Sequence, residues 1–141
     1  MRGPMALLRN ERGIAALEFA LLAPALLMLV FAIMVYSLYF STLMGVRQAA
    51  VEGARAAVAG LSTPERSQLA RDRAQAVIAN YGSLLSSGGG TAVTVGPDGT
   101  GLFRVQVSHD MRGSPLMRYA GFLPMPSPTV TASSIVTNGS Y

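Results

Sequence analysis

A chain of 141 residues, half of them hydrophobic and with a mean hydropathy of +0.39, has room for one small domain at most once a membrane segment is set aside. Its formal charge of +4 comes from eleven arginines against seven acids with no lysine, and the arginines are scattered rather than set in a basic stripe with interleaved aromatics, which argues against nucleic-acid binding. The lack of cysteine excludes thiol chemistry, Fe–S clusters and thiolate zinc sites.

A short, mostly polar stretch, Arg9-Asn10-Glu11-Arg12-Gly13, leads into an apolar one that starts at Ile14, with Glu18 the only charge before Arg47. Residues 19–40 hold only Pro24, Tyr36, Ser37 and Tyr39 as less apolar members, and about 20 such residues span a bilayer core as a helix. Its Leu, Ile, Val and Phe residues sum to roughly −4 to −7 kcal/mol of insertion free energy. One carboxylate costs roughly 2.5–3.5 kcal/mol at the helix centre. The segment is therefore expected to insert in spite of Glu18. Arg2, Arg9 and Arg12 precede the run, which places the N-terminus in the cytoplasm and the C-terminal portion outside, with Tyr36, Tyr39 and Phe40 as the outer interfacial belt. A cleaved signal peptide would carry a shorter apolar core followed promptly by a small-x-small site, and Ser41-Thr42-Leu43-Met44 offers none.

Gly13 followed by Ile14-Ala15-Ala16-Leu17-Glu18-Phe19 resembles the processing site of type IV pilins and pseudopilins. Within that superfamily, Arg12-Gly13, Glu18-Phe19-Ala20-Leu21-Leu22-Ala23-Pro24 and Ala49-Ala50-Val51-Glu52-Gly53-Ala54-Arg55 resemble the TadE-like pseudopilins of tight-adherence (Flp-type) pilus systems, over about residues 9–60. Phe19 stands where major Flp pilins usually carry Tyr, which favours a minor subunit. The resemblance implies that a membrane-embedded prepilin peptidase cuts after Gly13 and that Glu18 pairs with the N-terminal amine of a neighbouring subunit. It also implies assembly with other pilins or pseudopilins and the pilus assembly platform, at the bacterial inner membrane, with no cofactor and no catalysis.

The physical chemistry of the matched positions agrees. Gly13 has no Cβ, so its backbone can approach a protease closely. Cleavage there would leave a new amine on Ile14, and Glu18 lies four residues on, one helical turn away on the same face. A charge in hydrocarbon needs such a partner. The simpler alternative, that Glu18 sits at the interface and favours the positive end of its own helix, lacks a use for the spacing to Gly13. Pro24 removes one helical hydrogen bond and can kink the segment. Two readings stand for it: an aid to bending during assembly, as in the resembling family, or a proline tolerated because neighbouring helices satisfy the freed carbonyl.

Nothing before Gly60 forces this helix to stop, so residues 14–60 are expected to form one helix of about 70 Å. Gly45, Ala49, Gly53 and Ala57 recur every four residues as a ridge of small side chains that admits a closely packed helix. Its occupant is either another subunit or the chain's own C-terminal domain. Glu52 and Arg55 can pair on the solvated side. Thr63 is expected to cap a second helix with Pro64 in its first position, and Ala70, Ala74, Val77, Ile78 and Tyr81 form its apolar stripe up to Gly82. Ser86-Ser87-Gly88-Gly89-Gly90 is a flexible connection; the lysine a phosphate loop needs does not follow. Strands are expected at 91–95, 102–107 and 129–137, with a turn at Asp98-Gly99 and with Phe103, Val105 and Val107 on one face. Residues 115–123 are apolar for a loop and suit a short helix or a contact patch, with core packing the preferred reading.

His109 is expected to be a solvated loop histidine, and Asp110 beside it is too near in sequence for an obvious triad. No pair of His or carboxylates shows metal-ligand spacing. Asn138-Gly139-Ser140 matches a glycosylation pattern, a motif short enough to arise by chance. The expected architecture is α+β: a leader at 1–13, a transmembrane and assembly helix at 14–60, and a small extracytoplasmic domain at 61–141 built from an amphipathic helix and an antiparallel sheet. The rival reading is an unprocessed single-pass membrane protein with a small binding domain outside. It predicts no cleavage and tolerance of Glu18→Ala. An enzyme is a distant third.

Overall fold

The apolar run and the small-residue ridge form a single α-helix, α1, from Glu11 to Ala57. The computed structural model describes residues 11–86, 88–119 and 121–137, so Arg2, Arg9, Ser87 and the Asn138-Gly139-Ser140 motif lie outside the described residues. After α1 come α2 (Thr63–Asn80), α3 (Ser83–Ser86), β1 (Gly90–Pro97), β2 (Leu102–Asp110), a 3-10 turn (Pro115–Tyr119) and β3 (Thr129–Thr137). The class is α+β, as expected. The chain divides into two compact units within α1, one up to Tyr36 and one from Ser37 onward.

The described part of the first unit is helix alone. Leu17, Phe19, Leu21, Leu22, Leu26, Leu27, Leu29, Val30 and Ile33 are all exposed, so apolar side chains cover the helix all round. A helix apolar on every side is suited to a membrane or to a large protein core, not to water. This one is long and apolar enough to cross a membrane. Pro24 lies inside it, where its missing N–H leaves the carbonyl of Ala20 without its usual partner, yet the helix continues through.

The second unit is organised around a three-stranded antiparallel sheet in the order β1-β2-β3. Val93 faces Val107 and Val95 faces Val105 across the first ladder; Phe103 faces Val136 and Val107 faces Ala132 across the second. Alternation puts Phe103, Val105, Val107 and Val130 into the core, while Thr94, Thr131 and Ser133 face solvent. Gly99 and Gly101 take positive φ values of 81° and 73° in the β1–β2 turn, a conformation that favours glycine. The ends of that hairpin are tied by an Arg104–Asp98 ion pair at 2.6 Å.

The inward face of the sheet is covered by the last turns of α1 and by α2. Ala49, Ala50 and Ala54 of α1 and Ala70 and Ala74 of α2 are buried, and their small size lets the two helices come close. The ridge expected from the sequence is thus filled from within the chain. A Cβ on Gly53 would stand 2.9 Å from the Ala70 carbonyl oxygen and 3.2 Å from Val105 Cγ1. A Cβ on Gly45 would instead meet Tyr81 Cδ1 at 2.9 Å and Leu85 Cδ1 at 3.0 Å, side-chain atoms of a half-buried ring and a leucine rather than backbone. These two glycines should therefore respond differently to alanine. Gly53→Ala is expected to destabilise the second unit by about 1–3 kcal/mol, because backbone must shift. Gly45→Ala is expected to be close to neutral, since a helix-propensity gain of up to about 1 kcal/mol offsets the small rearrangement. Thermal unfolding of the two full-length variants in detergent distinguishes them.

Two local details differ from expectation. The α-helix stops at Ala57, and bonds from Val58, Ala59 and Gly60 to carbonyls three residues back carry the chain through a tighter turn to Gly60. The cap of α2 is Ser62 rather than Thr63: its hydroxyl accepts from the Glu65 N–H at 3.4 Å, and Glu65 reaches back to the Leu61 N–H at 2.9 Å. Gly82, with φ +49°, ends α2 as expected, and α3 then inserts Leu85 into the core. In the 115–123 segment both readings hold in part. Leu116 and Met117 pack against the core, whereas Phe122 is 76% exposed.

Candidate functional site

Gly13, Ile14 and Glu18 lie in the first two turns of α1. The helix places Ile14 and Glu18 on one face, and both are exposed. Phe19 and Pro24 are exposed as well. No ion pair to Glu18 forms among the described residues. Gly45, Ala49, Gly53 and Ala57 sit further along the same helix and are buried in the second unit. Glu52 pairs with Arg55 at 3.5 Å, as expected, and also with Arg73 of α2 at 3.1 Å, a partner that nothing local in the sequence announces.

The second unit also holds a mostly apolar cavity of about 250 Å³, lined by Leu38 and Thr42 of α1, Leu84 of α3, His109 of β2, Pro115 and Leu116 among others. His109 is fully buried there, a correction to the solvated loop expected of it. The reason is that β2 continues past Val107 to Asp110, held by β1 and β3 on both sides, and period-two alternation turns His109 inward after Phe103, Val105 and Val107. Thr91 Oγ1 lies 2.8 Å from His109 Nδ1 and gives its own hydrogen to the Leu85 carbonyl at 2.8 Å. A hydroxyl has one hydrogen to give, so the contact with the imidazole requires the proton on Nδ1. His109 thus links the sheet to α3. Next to it, Asp110 accepts from the Arg112 backbone N–H at 2.9 Å, and this bond, helped by the Arg112 guanidinium, holds its carboxyl below the ordinary aspartate range. Among the described residues no three of His, Asp and Glu converge as metal ligands would.

Residues 13–55 match the family model described as TadE-like protein. That agrees with the resemblance carried by Gly13, by Glu18 to Pro24 and by Ala49 to Arg55, and it is consistent with a TadE-like protein of tight-adherence systems. The TadE-like segment starts on Gly13, takes in the whole apolar run and reaches the ridge as far as Arg55; α2 and the sheet lie beyond it. No curated protein and no solved structure matches the chain.

Proposed function

We propose that this chain is a minor pseudopilin-like structural component in the biogenesis of a tight-adherence (Flp) pilus, without catalytic activity of its own. The TadE-like match suggests a role in such systems, and the apolar helix fits membrane association. In this reading the N-terminus stays in the cytoplasm, the helix spans the bacterial inner membrane and the second unit lies outside. Prepilin peptidase removes the leader after Gly13, and the mature helix packs with other pilins or pseudopilins at the assembly platform. The observation that carries it is a family match that begins on Gly13 and runs along a helix whose exposed surface is apolar on every side and broken by Glu18.

The helical setting of Gly13 suits a processing site. The first N–H groups of a helix have no intrahelical partners, and a glycine lowers helix stability by about 1 kcal/mol relative to alanine, so this turn opens cheaply for a protease. Intact-mass measurement on membrane-extracted protein tests the step. The expected product begins at Ile14, and Gly13→Ala is expected to leave the chain uncut beside an active peptidase. Full-length chain alone, with the wild-type sequence and an active cognate peptidase, would overturn processing and favour the unprocessed anchor.

A further inference from the structure

We propose that Arg118, Tyr119 and Phe122, at and just after the 3-10 turn, form a second, peripheral lipid contact, which settles into the membrane interface. The inference rests on reading residues 19–40 as the membrane span. Pro115 and Leu116 line the same cavity as Leu38 and Thr42. Leu38 belongs to the last turn of the apolar run, so residues that share its cavity lie near the level where hydrocarbon would give way to headgroups. Leu116 and Met117 tuck into the core below and fix the segment there. Three of its side chains are exposed: Phe122 at 76%, Tyr119 at 39%, and Arg118, which follows the core-packed Met117.

That combination matches what a bilayer surface takes up. Aromatic rings favour the interface, and an arginine can lay its stem along the apolar layer while its guanidinium reaches anionic headgroups. The next exposed large apolar side chain of α1 after Phe40 is Met44, which carries no aromatic ring, and the outer face of the sheet is set with Thr94, Thr131 and Ser133. Leu61, 93% exposed, follows the end of α1, about 28 Å along the helix axis from Leu38 by the rise per residue. It serves as the internal comparison.

The chain has no tryptophan, so single-tryptophan variants report on one site each. Leu29→Trp, Phe122→Trp and Leu61→Trp, each in the full chain, are reconstituted in phosphatidylcholine–phosphatidylglycerol vesicles with acyl chains brominated either near the headgroup or near the chain terminus. Leu29→Trp should be quenched most by the deep bromines. Phe122→Trp should emit at shorter wavelength than Leu61→Trp and lose most of its emission to the shallow bromines, while Leu61→Trp stays water-like and unquenched. Phe122 is exposed, so its replacement leaves the core untouched. An unquenched Phe122→Trp beside a quenched Leu29→Trp overturns the lipid contact and leaves the span standing; a blue-shifted but unquenched Phe122→Trp does the same and points to a protein surface instead. An unquenched Leu29→Trp overturns the span, and the peripheral contact with it.

Discussion

Glu18→Ala in the full chain is expected to insert into the membrane at least as well as wild type and to lose incorporation into the pilus system. The two effects have opposite signs because they concern different steps. Removing a carboxylate from an apolar helix relieves an insertion cost of up to roughly 2.5–3.5 kcal/mol, less near the edge of the run. In the proposed assembled state, the same change strands the Ile14 amine among apolar side chains. Breaking one partner of a buried pair costs about 3–5 kcal/mol. At 1.4 kcal/mol per tenfold, incorporation should fall by roughly a hundredfold or more. Membrane fractionation measures the first quantity, and crosslinking to neighbouring subunits, together with pilus counts, the second. Normal incorporation of Glu18→Ala would sink the pairing role and leave Glu18 as an interfacial residue.

Phe103→Ala should destabilise the second unit by about 3–5 kcal/mol. Phe103 is 1% exposed and is the largest side chain in a cluster with Ala54, Ala57, Ala70 and Val105. Alanines on two helices cannot swing in to fill the space, so the loss should fall near the top of that range. Against a typical domain stability of about 5–15 kcal/mol, that is enough to bring the unit close to unfolding. Ile135→Ala, at a side chain 45% exposed on β3, should change stability by no more than about 0.5 kcal/mol. Amide exchange of the full-length variants in nanodiscs reads both. A small effect at Phe103 would mean that the ring is not the keystone of the sheet-to-helix contact.

The elements easiest to read in the sequence were those with a long, unbroken period. The apolar run and the stripe of α2 are legible from their own residues, because side-chain pattern and burial agree there, whereas the third strand alternates loosely, with Ser134 half-buried and Ile135 exposed. Failures came where a polar residue serves the core. Ser108, His109 and Asp110 have the composition of a loop, so the local pattern ends the second strand at Val107; the pairing with Gly90 and Thr129 that extends it is invisible locally. Continuing the alternation two residues further would have turned His109 inward. The cap of α2 was within reach, since Ser62 and Glu65 have the spacing of a capping box, but the proline after Thr63 drew attention one residue on. Arg73 could not be found as the partner of Glu52, because their meeting depends on how α1 and α2 lie together. The 115–123 segment was ambiguous for a sound reason: its two halves do different things.

The burial of Gly45, Ala49, Gly53 and Ala57 has a consequence for how this protein can be made and lost. The final turns of α1 are also an inner wall of the second unit, packed against α2 and the sheet. A protease cutting at the exposed Leu61 would leave α2 and the sheet held to α1 by packing alone, and separation of the two pieces would strip Ala54 and Ala57 from Phe103 and Val105. α2 and the sheet therefore make no complete folded body without residues 45–57, and under the proposed membrane orientation they finish closing only once those residues are clear of the bilayer. On that reading, folding and anchoring depend on one and the same helix.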